Sequence, residues 1–191
     1  MSVPPLRGGP AREAELFGVV LDVLREAGYD RLTVDAVVAR AHASKQTVYR
    51  RWPSKAALVV AAFATAVSAV PAPEDTGQLR SDLLVMFGSL HREMVELGDV
   101  IAGLLGEQRR NAELAAAMRD GYVDARVYWV REVFERARAR GELAEDVNLD
   151  LLYQLGPAMI FFRGLLSAES ADPELPRRLV DDLVMPLVRR V

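Results

Sequence analysis

Two helix starts lie only eleven residues apart, at Thr33 and Ser44, and Pro53 follows shortly after. That interval admits two short helices joined by a tight turn and little else. Thr33 is a natural N-cap, and Val34, Val37, Val38 and Ala41 behind it recur at i, i+3, i+4 spacing as one inward face. Ser44 opens the second segment, which runs to Arg51 and turns Val48 toward the core. Pro53 stops it, and Ser54 caps a fourth helix reaching about Ala69. Upstream, Leu16, Val19, Val20, Val23 and Leu24 stripe a first helix over 11–27, which Gly28 closes.

The same periodicity continues to the end. Amphipathic stretches fall at about 77–97, 99–107, 111–140, 149–168 and 173–189, with no alternating run of strand length. The expectation is an all-α fold of about nine helices, in a chain whose 191 residues are 51% apolar and can bury a real core. The clearest linker is "PAPEDTG" at 71–77. The predicted division is a helix-turn-helix head at 1–55 and a helical body at 56–191. Ala56 to Val70 carries no charge, but it is Ala-rich, stops at Pro71 and falls short of the roughly 20 residues a span requires, so it is expected to be a buried helix. The charge-rich "ERARAR" (135–140) is expected to be a solvated helix face, and Pro157 to kink its helix. "MSVPPLRGGP" has no signal-peptide core. The lack of cysteine excludes disulfides and fits a reducing cytoplasm.

Charge singles out the head. Net charge is −3, yet residues 1–55 carry nine Lys/Arg against six Asp/Glu (+3), which leaves 15 against 21 (−6) for the rest. No acid occurs from Ala36 to Pro73, and both lysines of the chain, Lys45 and Lys55, lie in "ASKQTVYRRWPSK" (43–55). Duplex DNA explains such a demand. Phosphates flank the major groove and base edges form its floor, so a reading helix needs short polar groups at its tip and cations or phenols at its flanks. Ser44, Lys45, Gln46 and Thr47 supply the tip; Tyr49, Arg50 and Lys55 supply the flanks. Gln suits adenine, Lys suits guanine, and the Thr methyl suits the thymine methyl. The free N–H groups behind Thr33 and Ser54 also suit phosphate oxygens.

These residues carry a resemblance. "LTVDAVVARAHASKQTVYRRWPSKAAL" (32–58) resembles the DNA-binding signature of TetR-family transcriptional regulators, and the resemblance extends over about 12–65. It implies that Ser44, Lys45, Gln46 and Thr47 face bases, that Thr33, Tyr49 and Lys55 touch the DNA backbone, and that Trp52 fills the hinge between head and body. Two positions depart from the pattern. His42 stands where the family has glycine at a turn of positive φ, and Ala43 stands where a larger apolar residue is usual. His42 is a candidate for a further phosphate contact.

A single reading head touches too few base pairs to select a site, so a two-fold dimer is expected. Its predicted surface is the last two helices, with Leu152, Leu155, Met159, Phe162 and Leu166 on one and Leu179, Leu183 and Leu187 on the other. The resemblance implies a small-molecule site in the body. Met86, Phe87, Leu90, His91 and Met94, with Leu104, Tyr122 and Trp129, are its candidates. The expected function is sequence-specific regulation of transcription: a repressor that holds a palindromic double-stranded operator as a homodimer and is released by a small apolar effector. The alternative is a DNA binder without small-molecule input, either architectural or governed by a protein partner. With two histidines, no cysteine, no paired His–carboxylate motif and no glycine-rich phosphate loop, no enzyme, catalytic residue, cofactor, metal site or membrane association is expected.

Overall fold

The computed structural model describes residues 9–67, 75–144, 146–166 and 172–188. All regular structure among them is helical: α1 Gly9–Arg31, α2 Val34–Arg40, α3 Lys45–Arg51, α4 Lys55–Val67, α5 Leu79–Gln108, α6 Ala112–Met118, α7 Asp124–Ala139, α8 Leu149–Leu166, α9 Leu175–Arg178 and α10 Met185–Val188. A π-helical turn, Arg119–Val123, joins α6 to α7, and a second, Leu179–Val184, joins α9 to α10. Counted through those turns, the continuous helices number eight among the described residues, close to the nine expected. None is long and apolar enough to cross a membrane. Residues 68–74, most of the expected linker, lie outside the described residues.

Packing divides the chain into two compact units. The first holds residues 1–69 and 99–123, the second 70–98 and 124–191. In the first, Leu16, Val20 and Leu24 of α1 are buried, as are Val34, Val37, Val48, Leu58 and Phe63. Phe63 sets its ring edge-on to Tyr122 with 4.9 Å between centroids. Gly28 (φ 76°) breaks α1 where expected. Thr33 Oγ1 accepts the Ala36 N–H at 3.1 Å, and Ser54 Oγ accepts that of Ala57 at 3.1 Å, so two of the three predicted caps form.

The second unit buries Leu79, Leu83, Phe87, Phe134, Leu152, Ile160 and Leu179. Its α5 and α8 approach closely because α8 carries glycines. A Cβ at Gly156 would lie 2.0 Å from Phe87 Cζ, and one at Gly164 would lie 2.6 Å from Met94 Cε.

Three expectations are corrected here. The predicted break between 97 and 99 does not occur, and Gly98 sits inside one thirty-residue helix. A lone glycine costs a helix only about 1 kcal/mol, less than the packing of such a length returns. Arg140 is not part of a solvated face. It donates to Asp75 (2.8 Å), Glu142 (2.6 Å) and the fully buried Asp82 (3.3 Å), tying the start of α5 to the end of α7. Leu152 and Leu179 are core rather than surface, whereas Leu151, Phe162 and Leu166 are exposed. The last of these helices is also less regular than its stripe suggests, and α8 runs on through Pro157.

Candidate nucleic-acid interface

The turn between α2 and α3 is built on a left-handed residue. The Ala43 N–H reaches back to the Val38 carbonyl at 2.8 Å, and the His42 N–H reaches that of Ala39 at 3.3 Å. That pair of bonds is the Schellman closure, which requires positive φ at its hinge residue. His42 supplies it at φ 47°. The end of α7 closes identically, with the glycine usual there: Glu142 bonds Ala137, Gly141 bonds Arg138, and Gly141 has φ 75°. A side chain in this region is strained by about 1–2 kcal/mol.

Compensation comes from α1. Arg12 Nη2 donates to the carbonyls of Ala41 (2.7 Å) and His42 (2.9 Å), the acceptors that the helix end leaves open. Arg12 was not singled out from the sequence, because nothing local marks a donor 29 residues from its acceptor. The one available signal was the non-glycine at 42, whose turn needs external support.

From this turn α3 projects its tip. Val48 and the capping residue Trp52 are buried, and Trp52 lies edge-on to Phe17 at 5.2 Å. Ser44, Lys45, Gln46, Tyr49 and Arg50 are exposed, Thr47 is half-buried, and Thr33 and His42 are exposed on the same unit. Ser44 holds the N-cap position with extended backbone, but its side chain makes no capping bond, contrary to the expected cap. Its hydroxyl is thereby left for another partner.

The cations of the head differ in their freedom. Lys45 pairs with Asp35 at 2.6 Å, a hydrogen bond that raises its pKa and keeps it protonated. Both partners are exposed, and water screens such a pair strongly, so it yields readily to another anion. Arg50 makes no ion pair or side-chain hydrogen bond among the described residues, whereas Arg40 is held by Glu26 at 2.7 Å. Lys55, expected to touch the DNA backbone, already has partners within the first unit. Its ammonium donates to the carbonyls of Tyr29 (3.0 Å) and Asp30 (3.4 Å) and lies 4.2 Å from the Tyr29 ring centroid, closing the end of α1. The same Tyr29 phenol is pushed up to about 12 by burial first, with Glu113 and Glu107 adding to it.

The predicted effector residues do not form one cluster within one unit. Met86, Phe87, Leu90, His91, Met94 and Trp129 belong to the second, Leu104 and Tyr122 to the first. Phe87, Leu90, His91 and Met94 are buried, and Phe87 and Met94 rest against the α8 glycines. Beside them is a partly buried pair the sequence did not disclose: Glu93, 4% exposed, accepts from Arg126, which also covers the Trp129 ring at 5.1 Å. A hollow of about 550 Å³ in this unit is lined instead by Leu151, Leu152, Leu155, Ala158 and Leu187 with polar neighbours, on the helices expected to form a dimer.

Comparison with known proteins follows the same outline. A family profile described as "Bacterial regulatory proteins, tetR family" matches residues 21–62, and one described as "Tetracyclin repressor-like, C-terminal domain" matches residues 73–183. An uncharacterized HTH-type transcriptional regulator of Mycobacterium tuberculosis is 41% identical over 179 residues, covering 94% of this chain and 89% of that protein. A Mycobacteroides abscessus protein named DNA-binding transcriptional repressor TetR is 37% identical over 183 residues, covering 95% and 96%. The crystal structure of a TetR family transcription regulator matches with a TM-score of 0.69 and 30% identity, over 89% of this chain and 97% of that one.

Proposed function

The chain belongs to the TetR family of bacterial helix-turn-helix transcriptional regulators, and on that premise we propose that it is a repressor whose α3 enters the major groove, twice over, at a palindromic operator. The observation that carries this reading is the division of α3 itself. Val48 and Trp52 fix one side in the core, while Ser44, Gln46 and Arg50 face out with no side-chain hydrogen bond or ion pair among the described residues, and Tyr49 faces out with the Lys45 ammonium 5.9 Å from its ring centroid. Ser44, Lys45, Gln46 and Thr47 take the base edges. Thr33, His42, Tyr49 and Arg50 take the phosphates. Lys55 acts indirectly, by closing α1 beneath the head. The functional division then falls at 55/56, although packing draws residues 56–69 and 99–123 into the head's unit.

Two copies are joined through the apolar hollow and the exposed Leu151, Phe162 and Leu166 of α8, which sets the heads about 34 Å or a multiple apart. Repression is supported by the Mycobacteroides abscessus relative, which is named a DNA-binding transcriptional repressor. Release follows when an effector in the second unit, among Met86, Phe87, Leu90, His91, Met94 and Trp129, favours a conformation whose heads no longer match the half-sites. A regulator without small-molecule input is the second reading. It is favoured by the close seating of Phe87 and Met94 against Gly156 and Gly164, which an effector would have to undo.

Selection from a random duplex library tests the main claim. A palindrome should emerge, preferred over random duplex by about 10³ or more. Gln46→Ala and Thr47→Ala should relax preference at particular base pairs, and Arg50→Ala should weaken all duplexes alike. Equal, sequence-independent losses in all three variants would refute the assignment of the reading tip. A body ligand that raises thermal stability yet leaves operator affinity unchanged would favour the second reading.

A further inference from the structure

The first unit contains a hollow of about 580 Å³ that neither the reading tip nor the effector residues use. Its aromatic floor is Phe17 and Trp52, and Val60, Ala61 and Ala64 of α4 form one wall. Glu13, Arg51 and Asp120 supply the charged groups, and Thr65 adds a hydroxyl. Space opens here for a local reason. Asp120 and Gly121 lie in the π-helical turn Arg119–Val123, and such turns, which widen a helix, recur at functional sites. Gly121 also lets that turn approach α4, since a Cβ there would come within 2.7 Å of Val60 Cγ1.

Arg51 is the anomalous group. Its side chain is only 9% exposed, its Nη2 donates to Glu13 at 2.6 Å, and its guanidinium stacks on Trp52 at 4.8 Å. Among the described residues Nε and Nη1 have no hydrogen-bond partner. Buried donors are almost always met, and a guanidinium with two nitrogens unmet calls for an acceptor. Water does not reach either nitrogen. An acceptor meets them from the hollow by turning the guanidinium off the indole.

The charges lining the hollow decide what that acceptor is. One guanidinium faces two carboxylates, Glu13 and Asp120. A ligand carboxylate would add a third negative charge, and an ammonium would be driven against the cation covering the aromatic floor. We propose that this hollow binds an uncharged, flat aromatic compound: its carbonyl oxygen accepts from Arg51, its N–H or O–H donates to Asp120, and its ring lies against Phe17 and Trp52. Arg51 ends α3 and Trp52 caps it, so the bound compound bears directly on the reading helix. Only this last consequence rests on the proposed DNA-reading function.

The test uses the full chain and three probes of one shape: 2-naphthamide (neutral), 2-naphthoate (anion) and 2-naphthylmethylammonium (cation), with affinities from saturation-transfer NMR. The amide should bind at least tenfold more tightly than either ion. Ala64→Leu, at a half-buried position on a helix, should fill the hollow and abolish amide binding with the circular dichroism spectrum unchanged. Arg51→Lys keeps the Glu13 pair and should weaken the amide at least fivefold. Equal or better binding of either ion, no binding of the amide up to its solubility, or an affinity indifferent to Ala64→Leu would overturn the proposal. A chain that binds the amide as expected but no duplex would sink the DNA reading and leave the hollow standing.

Discussion

Lys55→Met separates two roles that the sequence cannot distinguish. In the structure the ammonium holds the Tyr29 and Asp30 carbonyls at 3.0 and 3.4 Å, just past the break at Gly28, and covers the Tyr29 ring at 4.2 Å. One good hydrogen bond to a charged group is worth about 1.5–3 kcal/mol and a cation over an aromatic face about 0.5–1 kcal/mol. Lys55 is only half-buried, so water replaces part of this and the expected loss is about 2 kcal/mol. For a chain of this size that corresponds to a fall in Tm of roughly 4–8 °C. Melts of both proteins at one fixed concentration read it, since assembly otherwise moves Tm by mass action. The second readout is duplex affinity against salt. A lysine on a phosphate would reduce the magnitude of the log–log slope by about 0.9, whereas a lysine that closes α1 leaves it unchanged. A Tm within about 1 °C of wild type, together with that loss of slope, would refute the structural assignment.

The other predictions concern neighbouring joints. Arg12→Met should lower stability by about 1–2 kcal/mol, read as a lower urea midpoint at unchanged m, because the Ala41 and His42 carbonyls lose their donor. His42→Gly in that background should restore part of the loss by removing the side chain from a φ of 47°. Gly156→Ala should cost about 1–3 kcal/mol by overpacking Phe87, and Phe87→Leu should relieve it in the double variant, again by denaturant midpoint. Tyr29 should ionise near pH 12 in an ultraviolet titration, and Tyr29→Phe should remove that transition. Its folded pKa is raised above the ordinary value near 10, so the stability it contributes is complete below about pH 10 and is lost as pH climbs through about 12. An unfolding free energy equally steep in wild type and Tyr29→Phe across that window would contradict the burial of this phenol.

Much of the head was legible because its signals are local. Caps at Thr33 and Ser54, the stop at Gly28 and the inward Val34, Val37, Val38 and Val48 each act within one or two helical turns, and all form as expected. The reading failed where partners are distant in sequence. Arg12 on the turn carbonyls, Arg140 on Asp82 and Arg126 on Glu93 are separated by 29, 58 and 33 residues, and no spacing rule connects them. It failed too where a periodic stripe has two possible destinations. Leu152 and Leu179 repeat as an interface would, yet they fill the second unit's own core and leave Leu151, Phe162 and Leu166 outside. Periodicity identifies a buried face without naming what buries it.

The charge count shows the same limit in a sharper form. An excess of +3 over residues 1–55 pointed to a polyanion, but the fold engages most of those cations internally. Arg51 holds Glu13, Arg40 holds Glu26, Arg12 and Lys55 hold carbonyls, and Lys45 holds Asp35. What distinguishes them is the cost of letting go. Arg51 is nine-tenths buried, and removing its carboxylate would strand a charge out of water. Lys45 and Asp35 are both exposed, so a phosphate or a guanine edge can take over the ammonium with little loss. Among the described residues Arg50 has nothing to release. Sorting the cations by burial thus sets the buried Arg51 apart from the exposed Lys45, Arg50 and Arg40, a distinction of position that net charge cannot express.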